Sequence, residues 1–329
     1  MMRKISTIIT VLLIATVLAG CAQKADGTSI NKQSTNGDAD DKLSIVTTIF
    51  PAYDFARAIT GDNADISVLI KPGAEIHSFE PTPADIIKIE NADLFIYIGG
   101  ESEEWVEKLL RTEEAKGVKI LRLMDYVDHV EEELVEGMMS ADEAGEAGGD
   151  EEEAEIDEHI WTSPKNAILL VEAIGNAVCE IDSNNSATYQ DNEKEYIAEI
   201  EAIDKDFKKV ADEGKRSMIV FGDRYPFRYL SDAYGLSYRA AFTGCSNDTE
   251  IDAATMAYLI NQVEDGDLPY VYYIELSNQK IAQAISEQTG AEMLLLHSCQ
   301  NVTKDEFEAG ETYVSIMRQN VENLEKGLN

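Results

Sequence analysis

Two α/β lobes, each with a parallel sheet covered by helices and joined by one long rigid helix, are the architecture this sequence predicts. Three observations carry that expectation. Short β-rich runs alternate with helical runs from Lys42 onward, as parallel sheets covered on both faces require. The rhythm breaks once, at 186–214, where a helical stripe runs without Gly or Pro until Gly214, and it then resumes to the C-terminus. The chain has 329 residues, 44% of them hydrophobic, enough for roughly two domains by the rule of about 100 to 200 residues each.

The first twenty residues belong to another class. Arg3 and Lys4 precede an apolar run from Ile5 to Leu18, which falls short of the about 20 residues a membrane span needs and reads as an export signal. It ends in Leu18-Ala19-Gly20-Cys21, the small-residue context in which a lipoprotein peptidase cleaves before a Cys that is then lipidated. Residues 1–20 are therefore expected to be a lipoprotein signal peptide and Cys21 the anchor; the plain alternative is an ordinary signal peptide with a chance Cys. Residues 21–41 are polar and lack apolar periodicity, which suits a flexible tether.

From there the segments read in order. LSIVTT is a strand, PAYDFARAIT a helix, ADISVLI a strand, TPADIIKIENA a helix capped by Thr82, DLFIYIG a strand, EEWVEKLL a helix and VKILRL a strand. A helix begins at Ser163-Pro164 and completes an N-terminal lobe over 42–185. The connecting helix at 186–214 would run about 40 Å at about 1.5 Å per residue, long enough to span two lobes and stiff enough to limit a hinge. The C-terminal lobe, 215–329, reads SMIVFG, FRYLSDAYG, LSYRAAF, EIDAATMAYLINQV, YVYYIEL, QKIAQAISEQTG, EMLLLH and one last helix from Asp305 to Leu328.

Charge excludes one class of partner. With 27 Lys plus Arg against 63 Asp plus Glu, the net charge is -36, and no basic stripe is present to neutralise phosphates, so nucleic-acid binding is out. Fourteen acids and no base fall between Glu131 and Glu158. Self-repulsion predicts a disordered loop there, either a solvated excursion or a weak collector of divalent cations aided by His129. Beyond Cys21 the cysteines are Cys179, Cys245 and Cys299. Cys179 sits on an apolar helical face, which leaves Cys245 and Cys299 as the expected disulfide of an exported protein.

Histidine is scarce, at 77, 129, 159 and 297 only. His77 follows the strand ADISVLI and the Pro72-Gly73 bend, His159 directly precedes a helix, and His297 ends EMLLLH. Ligands in open α/β sheets bind beyond the carboxyl ends of strands, so these three can converge on one crevice around a metal ion.

The motifs PGAEIHSFEPTPADI and DEHIWTSPKNA, with the lipobox before them and the long helix and SDAYGL after them, resemble the zinc and manganese substrate-binding lipoproteins of ABC importers over Lys42 to Asn329. The resemblance implies that His77 and His159 are ligands from the N-terminal lobe. It implies two further ligands from the C-terminal lobe, where this sequence departs from the pattern. The third slot falls on Arg224, which cannot ligate, and the adjacent Asp223 is the candidate. The fourth is an Asp before Pro in relatives, and here LLLHSCQN offers His297. Glu275 is an alternative that would complete the shell. Three imidazoles with at most one carboxylate suit tetrahedral zinc over manganese, which prefers oxygen-rich sites.

The implied function is an extracytoplasmic, lipid-anchored, monomeric zinc-binding protein of the metal-transport and cell-adhesion type, delivering its ion to the permease of an ABC importer and catalysing nothing. A manganese-binding homologue is the alternative. Two further classes are weighed: a zinc hydrolase, which would need a base such as Glu80, and a surface adhesin with a structural metal only.

Overall fold

The computed structural model describes residues 42–329 apart from 75, 77, 78, 112–116, 140–154 and 247–249. The signal peptide, the tether, Cys21 and His77 thus lie outside the described residues.

The N-terminal half begins with β1 (Leu43–Thr47), α1 (Phe50–Thr60), β2 (Ala64–Val68) and α2 (Pro83–Glu90). Pro51 occupies the first turn of α1, where its missing N–H costs no hydrogen bond. Thr82 caps α2 in a reciprocal box with Asp85. Next come β3 (Leu94–Tyr97), α3 (Glu104–Leu110), β4 (Lys119–Arg122) and α4 (Pro164–Ile181). The sheet is wholly parallel with order β2-β1-β3-β4. Its central strand β3 is buried along its whole length, as a strand covered on both faces must be.

The helix α5 (Ser186–Glu213) is one unbroken element of 28 residues, about 42 Å long. It buries Tyr189, Ile200, Ile203, Phe207 and Val210 along one stripe. After it follow β5 (Met218–Tyr225), α6 (Arg228–Tyr234), β6 (Ser237–Thr243), α7 (Ala253–Asp265), β7 (Tyr270–Tyr273), α8 (Lys280–Thr289) and β8 (Glu292–Leu295). This second sheet is also parallel and repeats the first topology, β6-β5-β7-β8.

One helix differs from the sequence reading. The run from Asp305 to Leu328 divides into α9 (Lys304–Ala309) and α10 (Tyr313–Leu328). Gly310 takes a left-handed conformation with φ of 79°, which ends α9, and Thr312 opens α10 with its own capping box.

The acidic stretch differs more. Both of its ends are ordered: Glu131 and Ile156 form an antiparallel bridge, Glu132 N–H donates to Glu155 O at 2.8 Å, and Asp157 N–H donates to Val130 O at 2.9 Å. Met138 is buried and Met139 N–H donates to Ala241 O on β6. Expected disorder over 131–158 therefore fails for 131–139 and 155–158, because apolar residues and backbone pairing within the acid run anchor it; 140–154 lie outside the described residues. His129 is tied to Met124 O at 2.9 Å.

The principal core is continuous between the halves. It joins Ile45, Phe55, Ile96 and Trp161 to Phe207, Phe221, Tyr272 and Leu324 in one buried cluster. Smaller clusters cover the outer face of each sheet. Hydrogen bonds stitch the same seam: Gly73 N–H to Val302 O at 2.8 Å, Asn301 Nδ2 to Lys71 O and Ala74 O at 2.9 Å each, and Trp161 Nε1 to Ser298 O at 2.8 Å.

Candidate metal centre

His159 stands in the 155–163 segment between the acidic stretch and α4, and it is fully buried. Its backbone N–H and its Nδ1 both meet Asp157 Oδ1, at 2.8 and 3.0 Å. A carboxylate at Nδ1 fixes the tautomer and directs the lone pair of Nε2 as donor, the arrangement that orients metal-binding imidazoles. Burial alone would lower the His159 pKa, but Asp157, Glu158 and Glu132 outweigh it and hold it above the ordinary value. The same negative field draws a dication.

Asp157 is itself held. Its carbonyl accepts from Tyr229 Oη at 2.8 Å, and Tyr229 Oη in turn accepts from Val130 N–H at 3.3 Å, so the second lobe supports the loop carrying His159. Trp161, buried against His159 with ring centroids 5.5 Å apart, supports it from below.

Beside His159 lie Glu158 and Cys245. One ligand atom of each of Glu158, His159 and Cys245 lies within 4.8 Å of the others, the one such group of three among the described residues. Glu158 accepts from Ser102 through both its backbone N–H and its hydroxyl. Cys245 follows β6, in a turn whose Gly244 abuts His159: a Cβ there would meet His159 Cε1 at 2.9 Å. Cys245 N–H donates to Glu132 Oε1 at 3.0 Å, and burial with the surrounding carboxylates pushes its thiol pKa well up.

A cavity of about 10 Å³, room for one water-sized occupant, adjoins Glu158. It opens at the carboxyl ends of β1 and β3, the point where the strand order reverses, and is lined by Ile49, Ile76, Ile98, Glu103, Trp161 and Gln300. Ile76 is the neighbour of His77 in sequence. Glu103 is buried there, accepting from Ile98 and Gly99 N–H at 2.7 Å each, and burial, with Glu158 adding to it, raises its pKa to about 7.

The C-terminal candidates are placed elsewhere. Asp223 lies at a register shift of β5 between Phe221 and Arg224. Such irregularities re-aim side chains, and here Oδ1 accepts from Arg224 N–H at 2.9 Å while Ser277 approaches the carboxylate. Asp223 does not join the His159 group, and burial raises its pKa. Arg224 donates to Ser246 O at 3.3 Å, bracing the turn that carries Cys245.

His297 is likewise outside that group. Asn320 holds its backbone at N–H and carbonyl, at 2.8 and 2.7 Å, and its Nδ1 accepts from Cys299 N–H at 2.9 Å. The ring faces Glu306, 4.0 Å from Nε2, beside a separate pocket of about 190 Å³ also lined by Glu311. Glu275 is engaged by Ser298 N–H at 2.7 Å and by its hydroxyl, and Glu80 is exposed. In this structure Asp223 and His297 lie outside the group formed by Glu158, His159 and Cys245.

The expected disulfide is corrected too. Cys179, Cys245 and Cys299 are all free thiols. Cys245 sits with His159 and Glu158, whereas Cys299 is wholly buried behind His297, at φ of 63°. Sequence reasoning did not single out Cys245 and Glu158 as candidate ligands. The one signal available was that Glu158 adjoins His159 in DEHIW.

Comparison with known proteins follows the same lines. The family model described as zinc-uptake complex component A, periplasmic, matches residues 45–327. The zinc-binding lipoprotein AdcA of Streptococcus pneumoniae is 32% identical over 293 residues, covering 89% of this chain and 57% of AdcA, so the chain spans little more than half the length of that relative. The high-affinity zinc uptake system protein ZnuA of Bacillus subtilis is 32% identical over 301 residues, covering 90% of this chain and 91% of that protein. The crystal structure of the Zn(II)-bound ZnuA-like domain of Streptococcus pneumoniae AdcA superposes with a TM-score of 0.71 at 31% identity, covering 87% of this chain and 99% of that one. With two like-wound parallel sheets, a buried imidazole at their seam and a match along nearly all of its described length, this chain belongs to the zinc-uptake complex component A family.

Proposed function

We propose that this protein is an extracytoplasmic zinc-binding component that captures the ion between its lobes and hands it to the permease of an ABC importer, held to the membrane through a lipid on Cys21. It acts by binding and release, without turnover. The observation that carries the reading is His159: an imidazole fully buried at the seam, its tautomer set by Asp157, with Glu158 and Cys245 alongside. His77, one residue beyond the cavity-lining Ile76, is proposed as a further ligand on the strength of its PGAEIHSFEP context.

Membership in a zinc-uptake family and the names of the relatives support zinc as cargo. No helix among the described residues is long and apolar enough to cross a membrane, so the reading assigns passage through the bilayer to a partner chain. Bound zinc would be neutralised locally by nearby carboxylates and enclosed away from water, which strengthens each contact.

Calorimetric titration of the full chain with zinc and with manganese tests this. Zinc is expected to bind one ion tightly, and His159→Ala is expected to abolish that binding. Wild-type protein that ignores zinc, or His159→Ala protein that binds it unchanged, would sink the proposal.

A further inference from the structure

We infer that Cys245 holds the captured ion as a thiolate, so that the C-terminal lobe contributes sulfur where the family resemblance pointed to His297 and Asp223. This rests on the capture reading above and adds to it the identity of the second lobe's ligand. Glu158 and His159 come from the segment before α4, and Cys245 comes from the turn after β6. An ion bound by all three joins the two sheets directly.

Distance is compatible with that shell. Zinc bonds of about 2.0–2.3 Å to oxygen, nitrogen and sulfur place ligand atoms of a tetrahedral site about 3.3–3.8 Å apart. The three atoms here lie within 4.8 Å of one another, so side-chain movements of about 1.5 Å or less close the set. Backbone geometry already favours it. Gly244 lets the turn pack on the His159 ring, Glu132 holds the Cys245 N–H, and Arg224 holds the Ser246 carbonyl.

The other candidate donors of the second lobe lie outside the His159 group, and two of their atoms, Asp223 Oδ2 and His297 Nε2, are buried there without a hydrogen-bond partner. Asp223 accepts from Arg224 N–H, Glu275 from Ser298, and His297 accepts from Cys299 N–H. Cys245 is the donor that the fold brings to His159.

Charge balances when the thiol binds. The S–H bond breaks as the Zn–S bond forms, with both sulfur electrons going to zinc and the proton leaving to water. Thiolate, Glu158 carboxylate and neutral imidazole then carry two negative charges against the dication. Sulfur is also a selective ligand: thiolates suit zinc, whereas manganese prefers carboxylate, carbonyl and water oxygen. The chain would thus disfavour manganese chemically.

Cobalt(II) provides the probe, because it occupies zinc sites and a thiolate ligand gives a sulfur-to-cobalt charge-transfer band in the near ultraviolet. The full chain in detergent, loaded with one equivalent of cobalt, is expected to show that band. Zinc is expected to erase it. The band should persist in the Cys179→Ser and Cys299→Ser variants and vanish in Cys245→Ser, whose zinc affinity should fall by more than about tenfold with little change for manganese. Cobalt bound at one equivalent with no band overturns the thiolate while leaving capture intact. No cobalt or zinc bound by wild-type protein overturns both. The wild-type spectrum decides even if Cys245→Ser fails to fold, and Cys245→Ala provides a second variant.

Discussion

Asp157 shows how much a single side chain sets at this site. It fixes the His159 tautomer through one oxygen and positions the backbone of the same residue. Asp157→Asn should leave the fold intact yet weaken zinc binding by about 10- to 100-fold, the usual effect of losing an outer partner of a metal-binding histidine; titration calorimetry checks this. Gly244→Ala should act differently. Its Cβ would fall 2.9 Å from His159 Cε1, so the turn or the ring must shift, at a cost of about 1–3 kcal/mol and with weaker zinc binding, read by thermal melts with and without zinc. Glu103 offers a pH test. Its folded pKa of about 7 exceeds the ordinary 4.5, so the native state binds more protons than the unfolded chain between those values. Stability should therefore fall as pH rises from about 4.5 to 7, by roughly 3 kcal/mol from this group. Glu103→Gln should flatten that slope in denaturant melts at several pH values. His159 was legible in the sequence because DEHIWTSP places it just before a helix. Cys245 was not, because an export signal makes a disulfide the default for cysteine, and only folding reveals that Cys245 and Cys299 have different neighbours.

At the scale of elements, periodicity was informative wherever packing and local preference agreed. The stripe of Tyr189, Ile200, Ile203 and Phe207 on α5 is buried as its spacing implies. Phe207→Ala should cost about 3–5 kcal/mol in unfolding free energy, since the side chain is fully buried, while zinc affinity stays within about twofold of wild type. The last helix was misread because Gly310 in FEAGET is a cap at the end of α9, and a Gly within an otherwise helical run is compatible with either reading until its φ is known. Strand β5 taught a similar lesson. Its place in the strand–helix rhythm predicted a strand correctly, but the register shift at Asp223 depends on pairing with β6 and leaves no local mark.

Across the whole molecule the continuous core and the seam hydrogen bonds argue against wide opening. Ile45 and Phe221, from different sheets, belong to one buried cluster, and separating the lobes would expose much of it at about 25 cal/mol per Å². Zinc should accordingly change the radius of gyration in solution scattering by less than about 1 Å, with differences in hydrogen exchange confined to the loops near 71–79, 131–139 and 243–246. A change of several ångströms would contradict a stiff connector. The fold class was open to sequence reasoning because alternating strands and helices constrain topology strongly. The ligand set was less so, because it is assembled from loops whose directions depend on contacts far away in the chain. The bridge between Glu131 and Ile156 has a practical corollary. Because Glu132 N–H and Asp157 N–H close that bridge, a proline at Glu132 would remove one of its two hydrogen bonds and loosen together the acidic segment and the adjoining residues that carry His159.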